Sequence, residues 1–242
     1  MATAADTILS VEHLKVYFPI RRGIFSRVSG WVKAVDDVSF SLRRGETLGI
    51  VGESGSGKST IARALTGLTK LTAGKICRGG RIGMVFQDPL GSLNPRQTIR
   101  ESIETVPRGF AKPDAAALLS RVGLSATALE RYPHEFSGGE RQRICIARAL
   151  GMRPEILICD EAVSALDLSV RAQVLDLLKA LRGEFDLSML FITHDIGVVQ
   201  HVADRVMVMN CGQVVESGSV DDVLHHPTNT YTQKLIAAVP RI

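Results

Sequence analysis

Nine residues, GESGSGKST at 52–60, carry the clearest chemistry in the chain. Their spacing matches G-x-x-x-x-G-K-[ST]. Gly52, Gly55 and Gly57 let backbone N–H groups turn inward, toward phosphate oxygens at a helix N-terminus. Lys58 adds a point charge for β- and γ-phosphates, and the Ser59 hydroxyl is placed to ligate Mg²⁺. Glu53, Ser54, Ser56 and Thr60 complete the nucleotide-facing stretch. A lysine at the mouth of such a loop is expected to face solvent, so that removing it disturbs the fold little.

Other apolar runs also end in polar residues, and in an open α/β sheet ligands bind beyond the carboxyl ends of strands. ILICDE ends in Asp160, able to hold Mg²⁺ through its water shell opposite Ser59, and in Glu161. Glu161 is placed to orient and deprotonate a water that attacks a γ-phosphate. MVFQDP supplies Gln87 and LFITHD supplies His194, groups suited to sensing the γ-phosphate or its Mg²⁺, with Gln87 a further metal ligand. Lysine, glutamine, an acidic pair and histidine at strand ends make a site for hydrolysing a nucleoside triphosphate. HEFSGGERQR at 134–143 is a second glycine-rich loop. There Ser137, Gly138 and Gly139 expose hydroxyl and N–H donors at the start of a helix beginning near Glu140, where the dipole favours an anion.

Apolar runs alternating with helical patterns position these groups, which argues an α/β fold with a largely parallel sheet. TLGIV (47–51), RIGMVF (81–86), ILIC (156–159) and SMLFIT (188–193) read as strands, and IARALTGL (61–68) as a helix. RVMVM (205–209) and QVVE (213–216) are expected to form a hairpin through Asn210-Cys211-Gly212. From 90 to 152 the pattern is helical, broken by Pro95, Pro107, Pro113 and Pro133. This predicts a helical subdomain inserted into a core of about 7–89 and 153–242 within a single domain spanning 1–242.

The chain of 242 residues is 45% hydrophobic and has no run of about 18 apolar residues, so nothing in it is expected to span a bilayer. Its N-terminus shows no basic region followed by an apolar one, hence no signal peptide is expected. Cys77, Cys145, Cys159 and Cys211 share no metal or redox spacing and read as buried hydrophobes in a reducing cytosol. His225-His226 before Pro227 reads as a solvated turn. The net charge of +4 permits nucleic acid, acidic lipid or nucleotide as partners. Arg21, Arg22, Arg27 and Lys33 could make a basic patch, read as a solvated loop because only Phe25 and Trp31 are interleaved for base stacking.

In order, GESGSGKST, MVFQDP, FSGGERQR, ILICDE, SALD (164–167) and ITHD resemble the nucleotide-binding subunit of an ATP-binding cassette (ABC) transporter. The resemblance covers nearly the whole chain. GETLGIVGESGSGKST, FQDPLGSLNPR, RYPHEFSGG and HPTNTYTQKLIAAVP are most similar to the ATPases of oligopeptide, dipeptide and nickel importers. It implies a P-loop NTPase fold, with a RecA-like core sheet, flanking antiparallel strands and an inserted helical subdomain. It also implies ATP with Mg²⁺, transmembrane permease subunits as partners, and an extracytoplasmic solute-binding protein acting indirectly. The implied location is the cytoplasmic face of a bacterial inner membrane, with no nucleic acid.

In that family two cassettes pack head to tail. Ser137, Gly138, Gly139 and Glu140 would therefore serve the ATP of a partner ATPase, a paralogue or a copy of this chain, the paralogue being favoured. Asp167 matches the loop that communicates across the dimer. Phe18 aligns best with an adenine-stacking aromatic, with Tyr17 as its rival, and Asp88 to Arg96 resembles the surface that receives the membrane subunit's coupling helix. Glu140 stands where glutamine is common and Ala162 where proline is usual; neither removes a catalytic group. The short stretch between Leu65 and Gln87 predicts trimmed antiparallel strands, and a chain stopping after AAVP is expected to lack any function housed in a longer tail. The alternative class, a soluble ABC ATPase acting on nucleic acid or ribosomes, generally fuses two cassettes or inserts long coiled coils, and neither is present.

Overall fold

The computed structural model describes residues 6–22 and 27–238. Phe25 of the expected basic loop, and Val239 and Pro240 of the tail motif, lie outside the described residues. The strands are β1 (Thr7–Arg22), β2 (Arg27–Arg43), β3 (Thr47–Val51), β4 (Ala73–Arg78), β5 (Ile82–Val85), β6 (Ile156–Asp160), β7 (Ser188–Thr193), β8 (Arg205–Asn210) and β9 (Gln213–Ser219). The helices are α1 (Lys58–Leu65), α2 (Pro89–Ser92), α3 (Ile99–Glu104), α4 (Ala115–Arg121), α5 (Gly138–Gly151), α6 (Leu168–Glu184), α7 (Ile196–Val202), α8 (Val220–His225) and α9 (Thr230–Ala237). None of the described helices is long and apolar enough to cross a membrane. The chain divides into two compact units, Met1–Gly79 with Phe191–Ile242, and Gly80–Leu190, the cut falling inside β7.

In the first unit β3 runs parallel to β8, Leu48 opposite Arg205 and Val51 opposite Val208. β9 folds back on β8, and Asn210 opposite Gln213 closes the expected hairpin. All five residues of β3 are buried, as a strand covered on both faces requires. Val51, Val199, Val206, Val208 and Val223 form one cluster, which places α7 and α8 against these strands.

The same unit holds an antiparallel sheet ordered β2-β1-β4. Here the expectation of trimmed strands fails. β1 has 16 residues and β2 has 17, because their length comes from sequence ahead of the phosphate loop. Only β4, 6 residues long, is drawn from the short stretch after Leu65. Arg21, Arg22 and Arg27 consequently lie in strands and not in a solvated loop.

In the second unit β5 and β6 are parallel, from Ile82 opposite Ile156 to Val85 opposite Cys159. The helices of residues 89–151 pack there through Ile99, Ile103, Leu119, Ile144 and Leu150, all buried. Local chemistry starts them. Thr98 and Glu101 form a capping box on α3, and the Asp114 carboxylate caps α4.

Two smaller expectations are also corrected. Cys145 and Cys159 are buried, but Cys77 and Cys211 are exposed, one on the edge strand β4 and the other at the β8–β9 turn. His225 ends α8 instead of opening a turn, with its ring 3.7 Å from Asp221.

Candidate functional site

β3 delivers the chain into the phosphate loop, and α1 begins at Lys58 with Gly57 as its cap. Gly57 has φ 105°, and a Cβ there would lie 2.1 Å from the Ala34 carbonyl oxygen, so no side chain fits. The loop is braced from distant sequence. Gly212 N–H donates to the Ser56 carbonyl at 3.0 Å, and Glu53 N–H donates to the Tyr231 hydroxyl at 3.1 Å.

Lys58 overturns the expectation of a solvent-facing side chain. It is 3% exposed, and its Nζ donates to the carbonyls of Gly52 (2.7 Å) and Glu53 (2.8 Å) and to Ser56 Oγ at 3.4 Å. A buried ammonium needs acceptors, and the loop wraps its own around the charge. Ser59 and Thr60 follow in the first turn of α1, half-buried.

His194 is exposed just after β7, ahead of Asp195, which caps α7 by accepting from Gly197 N–H at 2.9 Å. Phe18 lies on β1 opposite Val32 and is 43% exposed. Tyr17 is committed elsewhere, its hydroxyl donating to the Asp36 carboxylate, which also accepts from Lys33 Nζ at 3.2 Å. The Tyr17–Asp36 bond raises the Tyr17 phenol above its ordinary range, and that bond followed by the Lys33 bond lowers the Asp36 carboxyl.

The second unit carries the acidic pair and the second glycine loop. With Val85 opposite Cys159, the parallel register brings Gln87 and Glu161 together two residues further on. Gln87 Nε2 donates to the Glu161 carboxylate at 3.1 Å. The Glu161 backbone is left-handed, φ 49°, a strained setting for a residue with a side chain. Its carbonyl accepts from Ser164 N–H at 3.1 Å and from Ser164 Oγ at 2.9 Å, which holds the turn. A proline at position 162 would push Glu161 toward extended backbone, and Ala162 imposes no such restriction. Asp160 is 5% exposed at the end of β6. Beside it, burial pushes the Cys159 thiol up to about 12.

Ser137 caps α5 in a capping box. Its Oγ accepts from Glu140 N–H at 3.3 Å, and the Glu140 carboxylate accepts from Ser137 N–H and Oγ, both at 2.8 Å. The backbone bond first, then the hydroxyl, hold the Glu140 carboxyl below its ordinary range against partial burial. A Cβ on Gly139 would lie 2.5 Å from Val170 Cγ1 on α6, so this glycine is demanded by packing. Gly138 meets only Leu166, at 4.0 Å, and no packing explains it. Ser137, Gly138, Gly139 and Glu140 line an open cleft of about 260 Å³ with Asp167, Val170, Gln173 and Arg143.

The expected residues therefore gather in groups. Lys58 sits in its own loop, Gln87 meets Glu161, and Asp167 shares a cleft with Ser137–Glu140. Sequence reasoning quoted the tail motif containing Tyr231 without giving that residue a role, since its contact with Glu53 spans 178 positions. Val170 and Gln173 were missed as well; their spacing on α6 marks a helix face without saying what it covers.

A model of the family described as ABC transporter matches residues 35–164. The oligopeptide transport ATP-binding protein AppF of Bacillus subtilis is 48% identical over 99% of this chain and 80% of its own length. The glutathione import ATP-binding protein GsiA of Salmonella typhimurium is 49% identical over 97% of this chain, which spans 41% of GsiA. Among solved structures, the ATP-binding cassette MJ0796, captured as a dimer in a post-hydrolysis state with ADP and Pi, matches with a TM-score of 0.75. That match has 26% identity and covers 88% of this chain and 98% of MJ0796. The fold, the phosphate loop and these matches agree: the chain belongs to the ABC transporter family, as one of its ATPases.

Proposed function

We propose that this chain binds and hydrolyses ATP to energise import of a small peptide through separate membrane subunits, with Glu161 as the general base. The observation that carries the catalytic reading is the Glu161 carboxylate held by Gln87 at 3.1 Å, on a strained turn next to buried Asp160. The N–H groups of 52–60 and the Lys58 ammonium bind the phosphates, and Phe18 stacks on adenine. Glu161 accepts a proton as a water oxygen bonds to the γ-phosphorus and the bond to the β-bridging oxygen breaks, releasing ADP. His194 and Gln87 report the state of the γ-phosphate.

The donor chemistry fits Mg²⁺, a hard cation that prefers oxygen ligands. The Ser59 hydroxyl, the Asp160 carboxylate and the amide oxygen of Gln87, whose Nε2 is already engaged by Glu161, would hold it. When bound it supplies charge neutralisation at the β- and γ-phosphates. Ser137, Gly138, Gly139 and Glu140 serve the ATP of a second ATPase subunit, and Asp167 communicates across that pair. The helices of 90–152 form the subdomain, and Asp88 to Arg96 meets the membrane subunit.

Peptide import is supported by the names of AppF and GsiA, glutathione being a tripeptide. The setting is the inner face of a bacterial plasma membrane, with a solute-binding protein acting on the other side. Glu161→Gln should retain ATP binding and lose about 10²–10⁴-fold in phosphate release, since the amide accepts no proton. Wild-type turnover in that variant would remove Glu161 from the mechanism.

A further inference from the structure

β4 pairs with β1 only from Leu9 to Lys15. Beyond Tyr17, whose N–H donates to Thr72 Oγ1 at 2.9 Å, β1 and β2 continue as a bare two-stranded ribbon, from Phe18 opposite Val32 to Arg22 opposite Arg27. The stretch from Phe18 to Arg22 spans about 13 Å at the rise of a strand. Such ribbons are marginally stable in water when nothing covers them.

Residues directly opposite each other share a face. One face of the ribbon carries Phe18 and Val32, the place given above to adenine. The other pairs Pro19 with Trp31 and Arg21 with Val28, and ATP chemistry makes no use of it. Trp31 is 57% exposed and Val28 52%. Arg21 stands on this second face, while the closing pair Arg22 and Arg27 alternates back to the Phe18 face at the ribbon's far end, and among the described residues no ion pair joins the three to a carboxylate. The ribbon's own Asp36 is taken by Lys33 and Tyr17 further back. An indole and aliphatic side chains flanked by uncompensated arginines match the boundary between lipid headgroups and acyl chains.

We propose that this face and the far end of the ribbon lie directly on an anionic lipid surface, with Trp31 and Val28 at the headgroup boundary, Arg21 on lipid phosphates beside them, and Arg22 and Arg27 reaching phosphates around the ribbon's end. The contact is additional to docking on membrane subunits and does not rest on the ATPase reading.

Trp31 is the single tryptophan of the chain, so its emission reports the contact without a label. The protein, free of nucleotide and at low salt, is titrated with vesicles of mixed phosphatidylglycerol and phosphatidylcholine, and with vesicles of phosphatidylcholine alone. The anionic vesicles should move the emission to shorter wavelength and carry the protein into the pellet. The triple variant Arg21→Gln, Arg22→Gln, Arg27→Gln should bind them about 10²-fold more weakly, each arginine near such a surface contributing a factor of about 5. Its ATP turnover without vesicles should match the wild type. Unchanged emission, equal binding to phosphatidylcholine alone, or a triple variant that sediments like the wild type would overturn the proposal. So would a shift that grows with protein concentration in lipid-free solution, which would make this face an interface between copies. The vesicles hold no protein, so binding cannot run through a membrane subunit. Turnover is read separately, so failure of the ATPase reading would leave the vesicle result standing.

Discussion

Lys58 holds its loop together before any nucleotide arrives. Its ammonium is satisfied by Gly52, Glu53 and Ser56, so a phosphate at the proposed site would compete with acceptors already in place. The residue therefore has a structural role beside the one proposed for it at the phosphates, and Lys58→Ala should show both. Phosphate release should fall to background. Stability should also drop, by about 1.5–3 kcal/mol if the lost bonds behave as ordinary charge-assisted ones. A urea midpoint identical to the wild type would mean that water replaces the ammonium freely and that the loop needs no internal support.

α5 shows why neighbouring glycines in one motif need not share a reason. At Gly139 the obstacle is Val170 on α6, only 2.5 Å from a hypothetical Cβ. Gly139→Ala should therefore force the two helices apart and lower stability by about 1–3 kcal/mol, the usual penalty for overpacking. Gly138→Ala meets only an ordinary contact with Leu166 and should leave the thermal midpoint unchanged or raise it, alanine being the better helix former by up to about 1 kcal/mol. If the Gly138 variant then fails in ATP-driven pairing while its fold is intact, its backbone faces a ligand. Equal destabilisation of the two variants would contradict the geometry at Val170.

For the whole molecule, the role proposed for the second glycine loop is to act on another chain's ATP. Lys58→Ala and Ser137→Arg proteins, each inactive alone, should regain some hydrolysis when mixed, provided the chain pairs with itself. One composite site then holds an intact Lys58 and an intact Ser137, and the other lacks both. With a distinct partner, Ser137→Arg should instead impair the partner's site. Loss of ATP binding by isolated Ser137→Arg monomers would show that both loops serve one nucleotide.

The sequence by itself determined the groups whose geometry is local. The phosphate loop, the helix start at Ser137, and the hairpin through Cys211-Gly212 depend on spacing along the backbone, so residue types reveal them. The strand ends were legible too, because a fully apolar run leaves its first polar residue at the mouth of the sheet. Strand pairing added what no spacing contains. Opposing Val85 to Cys159 put Gln87 on Glu161, and extending β1 with β2 turned an expected basic loop into a ribbon with two different faces. Burial was likewise a tertiary decision. Lys58 is enclosed and Cys77 exposed, each against expectation, since accessibility depends on which elements cover a position and not on what it is. Asp167 came to share a cleft with Ser137 for the same reason: helix packing, between residues far apart in the chain, set that distance.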